Sequence, residues 1–160
     1  MGQRDNRTTG QRTMRDYTKI DAWKLADDLT VALYEWTRSF PKEEIYGLTS
    51  QMRRASYSMP ANIVEGSSRN SQRDYLHFLY IARGSLSETQ YFIHLAQRLG
   101  YLPSNEAEEL QSQTKQTFGC LHGLIQAVEK ETGKLARVAA AVTSLLALNL
   151  ARLVGGPVVM

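Results

Sequence analysis

A chain of 160 residues, 42% hydrophobic and 22% charged, can bury a sizeable core as one domain with appendages. Its single cysteine, Cys120, excludes an internal disulfide and offers nothing to a secreted, disulfide-stapled scaffold. The net charge of +3 belongs to the two ends, since residues 1–19 and 134–160 are basic and residues 20–133 hold more acids than bases.

Residues 1–19 are polar, with Gly2, Gly10 and scattered arginines, and read as a disordered basic arm. No apolar run marks a secretory signal there, so a cytoplasmic, bacterial-type protein is expected. A first helix follows, with Asp21 as its N-cap and Ala22, Ala26, Leu29, Leu33, Trp36 and Phe40 on one stripe. It is expected to end near Phe40–Pro41, because a residue before proline is pushed out of helical geometry.

The second helix carries Leu48, Met52, Ala55, Met59 and Ile63 and should run to about Arg69. Pro60 lies inside it, so a kink near Ser56–Met59 is expected. Ser71 with Asp74 opens a long third helix, striped by Tyr75, Leu79, Ala82, Leu86, Thr89, Ile93 and Ala96 and closed by Gly100. Asn105 and Glu108 form another capping pair for a fourth, with Ala107, Leu110, Thr114, Thr117, Leu121, Leu124 and Val128 on its stripe and Gly133 as its stop. Four stripes of similar length close around one core, which predicts an all-α, up-down-up-down, left-handed four-helix bundle over residues 20–133.

Residues 134–160 form an apolar extension, expected to be helical. The stretch between Arg137 and Arg152 is shorter than the roughly twenty apolar residues of a comfortable membrane span and includes Thr143, Ser144 and Asn149. Packing on the bundle or on another copy is the expectation, with peripheral membrane attachment the alternative.

No catalytic constellation is visible. His77 and His94 fall on different faces of one helix, His122 stands alone, and no ligand spacing for a metal occurs. Glycine spacing matches neither a P-loop nor a dinucleotide turn, and Cys120 reads as a small buried hydrophobe. No enzymatic activity, cofactor or metal is expected.

The second helix is the informative one. Arg54, Ser58, Asn62 and Glu65 stack at spacings of 4, 4 and 3 beside its apolar stripe. They read either as a solvated face or as a polar seam, with Arg54 on a carboxylate and Asn62 satisfying backbone groups freed by Pro60. Mid-helix Gly84 costs about 1 kcal/mol against alanine, so the close approach of another backbone is expected there. Across residues 47–86, Arg53, Arg54, Arg69, Arg73 and Arg83 outnumber Glu65 and Asp74, whereas residues 20–46 and 103–133 are acidic. One basic and two acidic sides suit a nucleic-acid surface, a contact between copies or a mixed solvated surface. Tyr57, Tyr75 and Tyr80 would stack on bases in the first case and pack in the core or a subunit interface otherwise.

These residues carry a resemblance. Ile20-Asp21-Ala22-Trp23-Lys24-Leu25-Ala26, the block from Phe40-Pro41-Lys42-Glu43-Glu44 through Tyr46-Gly47-Leu48 to Met52-Arg53-Arg54-Ala55, Ser58-Met59-Pro60-Ala61-Asn62-Ile63-Val64-Glu65-Gly66 and Ala82-Arg83-Gly84-Ser85-Leu86 are similar to proteins encoded in intervening sequences of bacterial 23S ribosomal RNA genes. The resemblance covers about residues 16–132. It implies a bundle assembling as a ring, usually a homopentamer, with no established enzymatic activity. A related branch, the accessory proteins of diversity-generating retroelements, implies binding of RNA or single-stranded DNA and of a protein partner through a basic surface, with Arg53, Arg54, Arg69 and Arg73 as the positions concerned. Thr89-Gln90 and the apolar extension after Gly133 depart from the family pattern.

Overall fold

The computed structural model describes residues 15–154, with side chains described through residue 146. Four helices, α1 (Asp21–Trp36), α2 (Leu48–Ser67), α3 (Gln72–Arg98) and α4 (Ser104–Val154), make up the fold, with 3-10 turns at Tyr17–Lys19 and Lys42–Glu44. Each helix packs on the next and α1 closes against α4, so the four form one ring of neighbours around a shared core. Leu29, Met52, Met59, Ile63, Leu79, Leu86, Ile93 and Leu121 are fully buried in a single cluster. The protein is an all-α four-helix bundle, without strands among the described residues.

Helix ends follow local hydrogen bonding more closely than hydrophobic periodicity. Asp21 is not the N-cap of α1; it stands in the first turn, 2.9 Å from Lys24 Nζ, and Ile20 holds the cap position in extended geometry. α1 stops at Trp36, short of the expected Phe40. There Thr37 Oγ1 donates to Leu33 O and Ser39 Oγ to Trp36 O, tightening the chain into turns before Pro41. Phe40 is buried nonetheless, its ring 5.7 Å from that of Tyr101.

α3 begins as expected, with Ser71 Oγ accepting from the Asp74 N–H at 2.9 Å. It ends on Gly100, whose φ of +75° suits glycine. Tyr101 N donates to Ala96 O and Gly100 N to Gln97 O, the paired bonds of a Schellman termination.

Three further boundaries differ from expectation. Arg15 and the Tyr17–Lys19 turn lie on the bundle rather than in a free arm: Arg15 N donates to Ser67 O, and its guanidinium covers the Tyr75 ring at 4.3 Å. Residues 1–14 of that arm lie outside the described residues. Gly133 does not end α4 either. One glycine costs about 1 kcal/mol in a helix, and with good helix formers on both sides and no proline the helix runs through it. Asn105, expected to cap α4, sits inside it; Ala107 N instead finds Pro103 O at 2.9 Å.

Candidate functional site

The stripe Arg54, Ser58, Asn62, Glu65 lies along the junction of α2 and α3. Ser58 Oγ and Ser85 Oγ are 2.8 Å apart, one hydroxyl donating to the other. Asn62 Nδ2 donates to Ser58 O at 2.7 Å and also lies 3.1 Å from Ser58 Oγ. Arg54 Nη2 pairs with Glu88 on α3 at 3.1 Å, and Glu65 pairs with Arg69 one turn on. Ser58 and Asn62 are therefore joined in a polar seam against α3, Arg54 reaches α3 separately through Glu88, and Glu65 turns to the chain just past the end of α2.

The carbonyl freed by Pro60 is not served by Asn62. An α-helical N–H at position 60 would donate to Ser56 O. That oxygen instead accepts from Thr30 Oγ1 on α1, at 2.9 Å. Gly84 is exposed, and nothing among the described residues lies within 4 Å of where its Cβ would sit, so no other described backbone of this chain approaches it. The close approach occurs at Gly66, where a Cβ would come within 2.9 Å of both Phe78 Cβ and Tyr75 Cδ2.

The five arginines do not share one surface. Arg53 turns toward α1, its Nε donating to Thr37 Oγ1 at 2.8 Å and its guanidinium 4.8 Å from the Tyr34 ring. Arg54 is held on α3 by Glu88. Arg83 stacks over Tyr80, whose hydroxyl bonds Glu129 of α4. Arg69, stacked over Phe78, belongs with Arg15, whose Nη1 donates to Arg69 O, and with exposed Arg73 at the α2–α3 turn. Of the three tyrosines, Tyr75 is buried, Tyr80 is engaged, and Tyr57 projects from α2 half exposed.

Reactive groups are dispersed. His77, His94 and His122 are all exposed, and no cluster of three metal-ligating side chains occurs among the described residues. Burial, aided by the nearby Asp21 carboxylate, pushes the Cys120 thiol above its ordinary value, which holds it protonated at neutral pH.

The sequence reading overlooked Arg15, counted within a free arm, and Thr30. Thr30 carried a signal: it sits between Leu29 and Leu33 on the core side of α1, where a hydroxyl needs an acceptor.

The family model for 23S rRNA-intervening sequence proteins matches residues 18–123. The chain belongs to that family. The crystal structure of a protein of unknown function from the S23 ribosomal protein family of Bacteroides thetaiotaomicron shares the fold, with a TM-score of 0.61 and 22% identity over 66% of this chain and 95% of that one. No curated protein matches the chain significantly. The family match takes in the seam, Gly66 and all five arginines, and leaves out α4 from residue 124 onward.

That unmatched part of α4 contains its departure from the bundle. Gln72 Nε2 reaches Glu131 Oε2 at 2.8 Å, and Val128 is the last buried residue among those of the helix whose side chains are described. Beyond Thr132 every described side chain is exposed, including Leu135, Val138, Val142, Leu145 and Leu146, each at 50% or more. No helix among the described residues is long and apolar enough to cross a membrane.

Proposed function

We propose that this protein is a non-enzymatic, self-assembling bundle acting as an interaction scaffold, its copies closing into a homo-oligomeric ring of about five. The observation that carries the reading is the overhang of α4. Its apolar residues 135, 138, 142 and 145 step 3-4-3 and continue the helix side that packs in the bundle through Val128 and Thr132. An apolar helix stripe held in water is a contact surface, and a second copy supplies the same stripe in return. Unlike faces would complete the ring, the α2–α3 side of one copy meeting acidic α1 or α4 of the next. Arg54 is already compensated by Glu88 and Arg69 by Glu65, so the exposed side chains Tyr57, Ile81 and Tyr91 contribute more to such a contact than charge does.

Light scattering behind size-exclusion chromatography tests this. About five subunits are expected for the whole chain and fewer for one truncated after Thr132; a monomer at low salt overturns the reading. Flotation of both forms with liposomes separates self-assembly from membrane attachment through the same stripe.

A second reading, binding of RNA or single-stranded DNA, is supported by the grouping of Arg15, Arg69 and Arg73 at one end of the bundle. Affinity would then fall steeply with salt and drop on Arg69→Ala and Arg73→Ala, equally across sequences. An oligonucleotide pool that gives no retardation at low salt removes it.

A further inference from the structure

We infer that the cleft where the α1–α2 connection meets the first turn of α2 binds a phosphate-type oxyanion. The cleft has a volume of about 140 Å³, and Arg38, Lys42, Arg53, Thr37, Thr49 and Ile45 are among its walls. Three cations line it and no carboxylate does, although residues 20–46 are acidic as a whole. None of the three forms an ion pair among the described residues. On the same connection Glu44 is turned to other work, accepting from Leu48 N at 2.8 Å and from the Tyr101 hydroxyl at 3.4 Å.

Arg53 is the organised member of the set. Its Nε is committed to Thr37 Oγ1, whose own proton goes to Leu33 O, and its plane rests on Tyr34. That fixes the guanidinium and leaves the Nη donors without a carboxylate, the arrangement in which arginine recognises a tetrahedral oxyanion.

Thr49 supplies an independent observation. The residue is 5% exposed, and its Oγ1 is buried with no hydrogen-bond partner. A hydroxyl in that condition costs stability unless an acceptor arrives. As the second residue of α2 it also stands where the helix presents the positive end of its dipole. Fixed guanidinium, two further cations and an unsatisfied donor in a space of this size suit a phosphate group, with the rest of any ester projecting into solvent. The group would come from free phosphate or a phosphomonoester, or from the phosphodiester backbone of a polynucleotide. The cleft shares no residue with the group of Arg15, Arg69 and Arg73 on which the nucleic-acid reading above rests.

Isothermal titration of the full chain with inorganic phosphate, and separately with a short single-stranded RNA lacking terminal phosphates, tests the site at matched ionic strength. Saturable binding is expected, weakened about tenfold by Lys42→Gln and severalfold by Thr49→Val. Thr49→Val should raise the melting temperature in phosphate-free buffer because it removes the unsatisfied hydroxyl, so its weaker binding cannot be ascribed to unfolding. Phosphate binding that RNA does not compete identifies a free phosphate or monoester as the source. RNA binding that phosphate displaces and Lys42→Gln weakens identifies the phosphodiester. No binding of either, or binding that neither substitution alters, overturns the inference.

Discussion

Thr30 on α1 donates its hydroxyl proton to Ser56 O on α2 across 2.9 Å, and Pro60 is the reason that carbonyl is free to accept it. Ser56 and Pro60 are both buried, so water is no substitute. Thr30 Oγ1 also lies 2.7 Å from Ala26 O, an oxygen that α-helical pairing already provides with a donor. A helix-interior proline is thus tolerated because a neighbouring helix carries the missing donor, and the bond fixes α1 against α2 in the process.

Thr30→Val should therefore destabilise the fold by about 1–3 kcal/mol, the cost of leaving a buried carbonyl unpaired. In a Pro60→Ala background the new N–H reaches Ser56 O from within α2, and the cost of Thr30→Val should shrink by at least about 0.5 kcal/mol. Urea denaturation of the four proteins in this cycle measures the coupling. Equal costs in both backgrounds would show that the hydroxyl does not stand in for the missing donor.

Two glycines in helices should answer oppositely to alanine. At Gly66 a methyl group would press on Phe78 Cβ and Tyr75 Cδ2, and the Tyr75 carbonyl stands 3.3 Å away, so α2 and α3 must separate. Gly66→Ala should cost about 1–3 kcal/mol by overpacking. Gly84→Ala meets nothing among the described residues and should gain about 0.5–1 kcal/mol from helix propensity. Thermal unfolding of dilute protein compares them. Light scattering of Gly84→Ala adds the test between copies: fewer subunits would place another backbone against Gly84, and an unchanged number would remove it from the interface.

The bundle was legible because a stripe such as Leu79, Ala82, Leu86 and Ile93 can be buried in one way only. Ser71 and Gly100 were legible too, since each satisfies backbone groups within its own turn. What escaped depends on neighbours remote in sequence. The donor for Ser56 O comes from another helix, 26 residues earlier. The arginines, read as one basic face, diverge because four of the five are drawn to different neighbours: Arg53 to Thr37, Arg54 to Glu88, Arg69 to Glu65 and Arg83 to Tyr80. Gly133 misled because glycine ends a helix only when the chain beyond it has an alternative, and the alanine-rich stretch that follows has none.

Stability should decline at high pH, and Tyr75 should carry part of the decline. Burial pushes its hydroxyl above the ordinary value of 10.0, opposed by the Arg15 charge, so the folded state holds the proton after the unfolded chain has released it. The stabilisation is fully present below pH 10 and is lost as the pH rises through the folded value. Tyr80 and Tyr101 are raised in the same direction, chiefly by the Glu129 hydrogen bond and by burial respectively. Urea midpoints between neutral pH and about pH 11 should fall less steeply for Tyr75→Phe than for the parent. An identical slope would mean that Tyr75 titrates as if exposed.

The Arg54–Glu88 pair separates a solvated seam from a buried interface. In one chain both side chains are about half exposed, at 52% and 51%, so screening limits the pair to roughly 0.2–1 kcal/mol. Arg54→Ala in dilute protein should accordingly shift stability by less than about 1 kcal/mol, with the effect fading in high salt. If the α2–α3 side is covered by another copy, the same substitution leaves Glu88 unpaired in a drier setting and should lower the subunit number, since breaking a buried pair costs about 3–5 kcal/mol. Exchanging the two charges, Arg54→Glu with Glu88→Arg, keeps the pair and should restore assembly. A chain whose subunit number survives Arg54→Ala assembles through some other face.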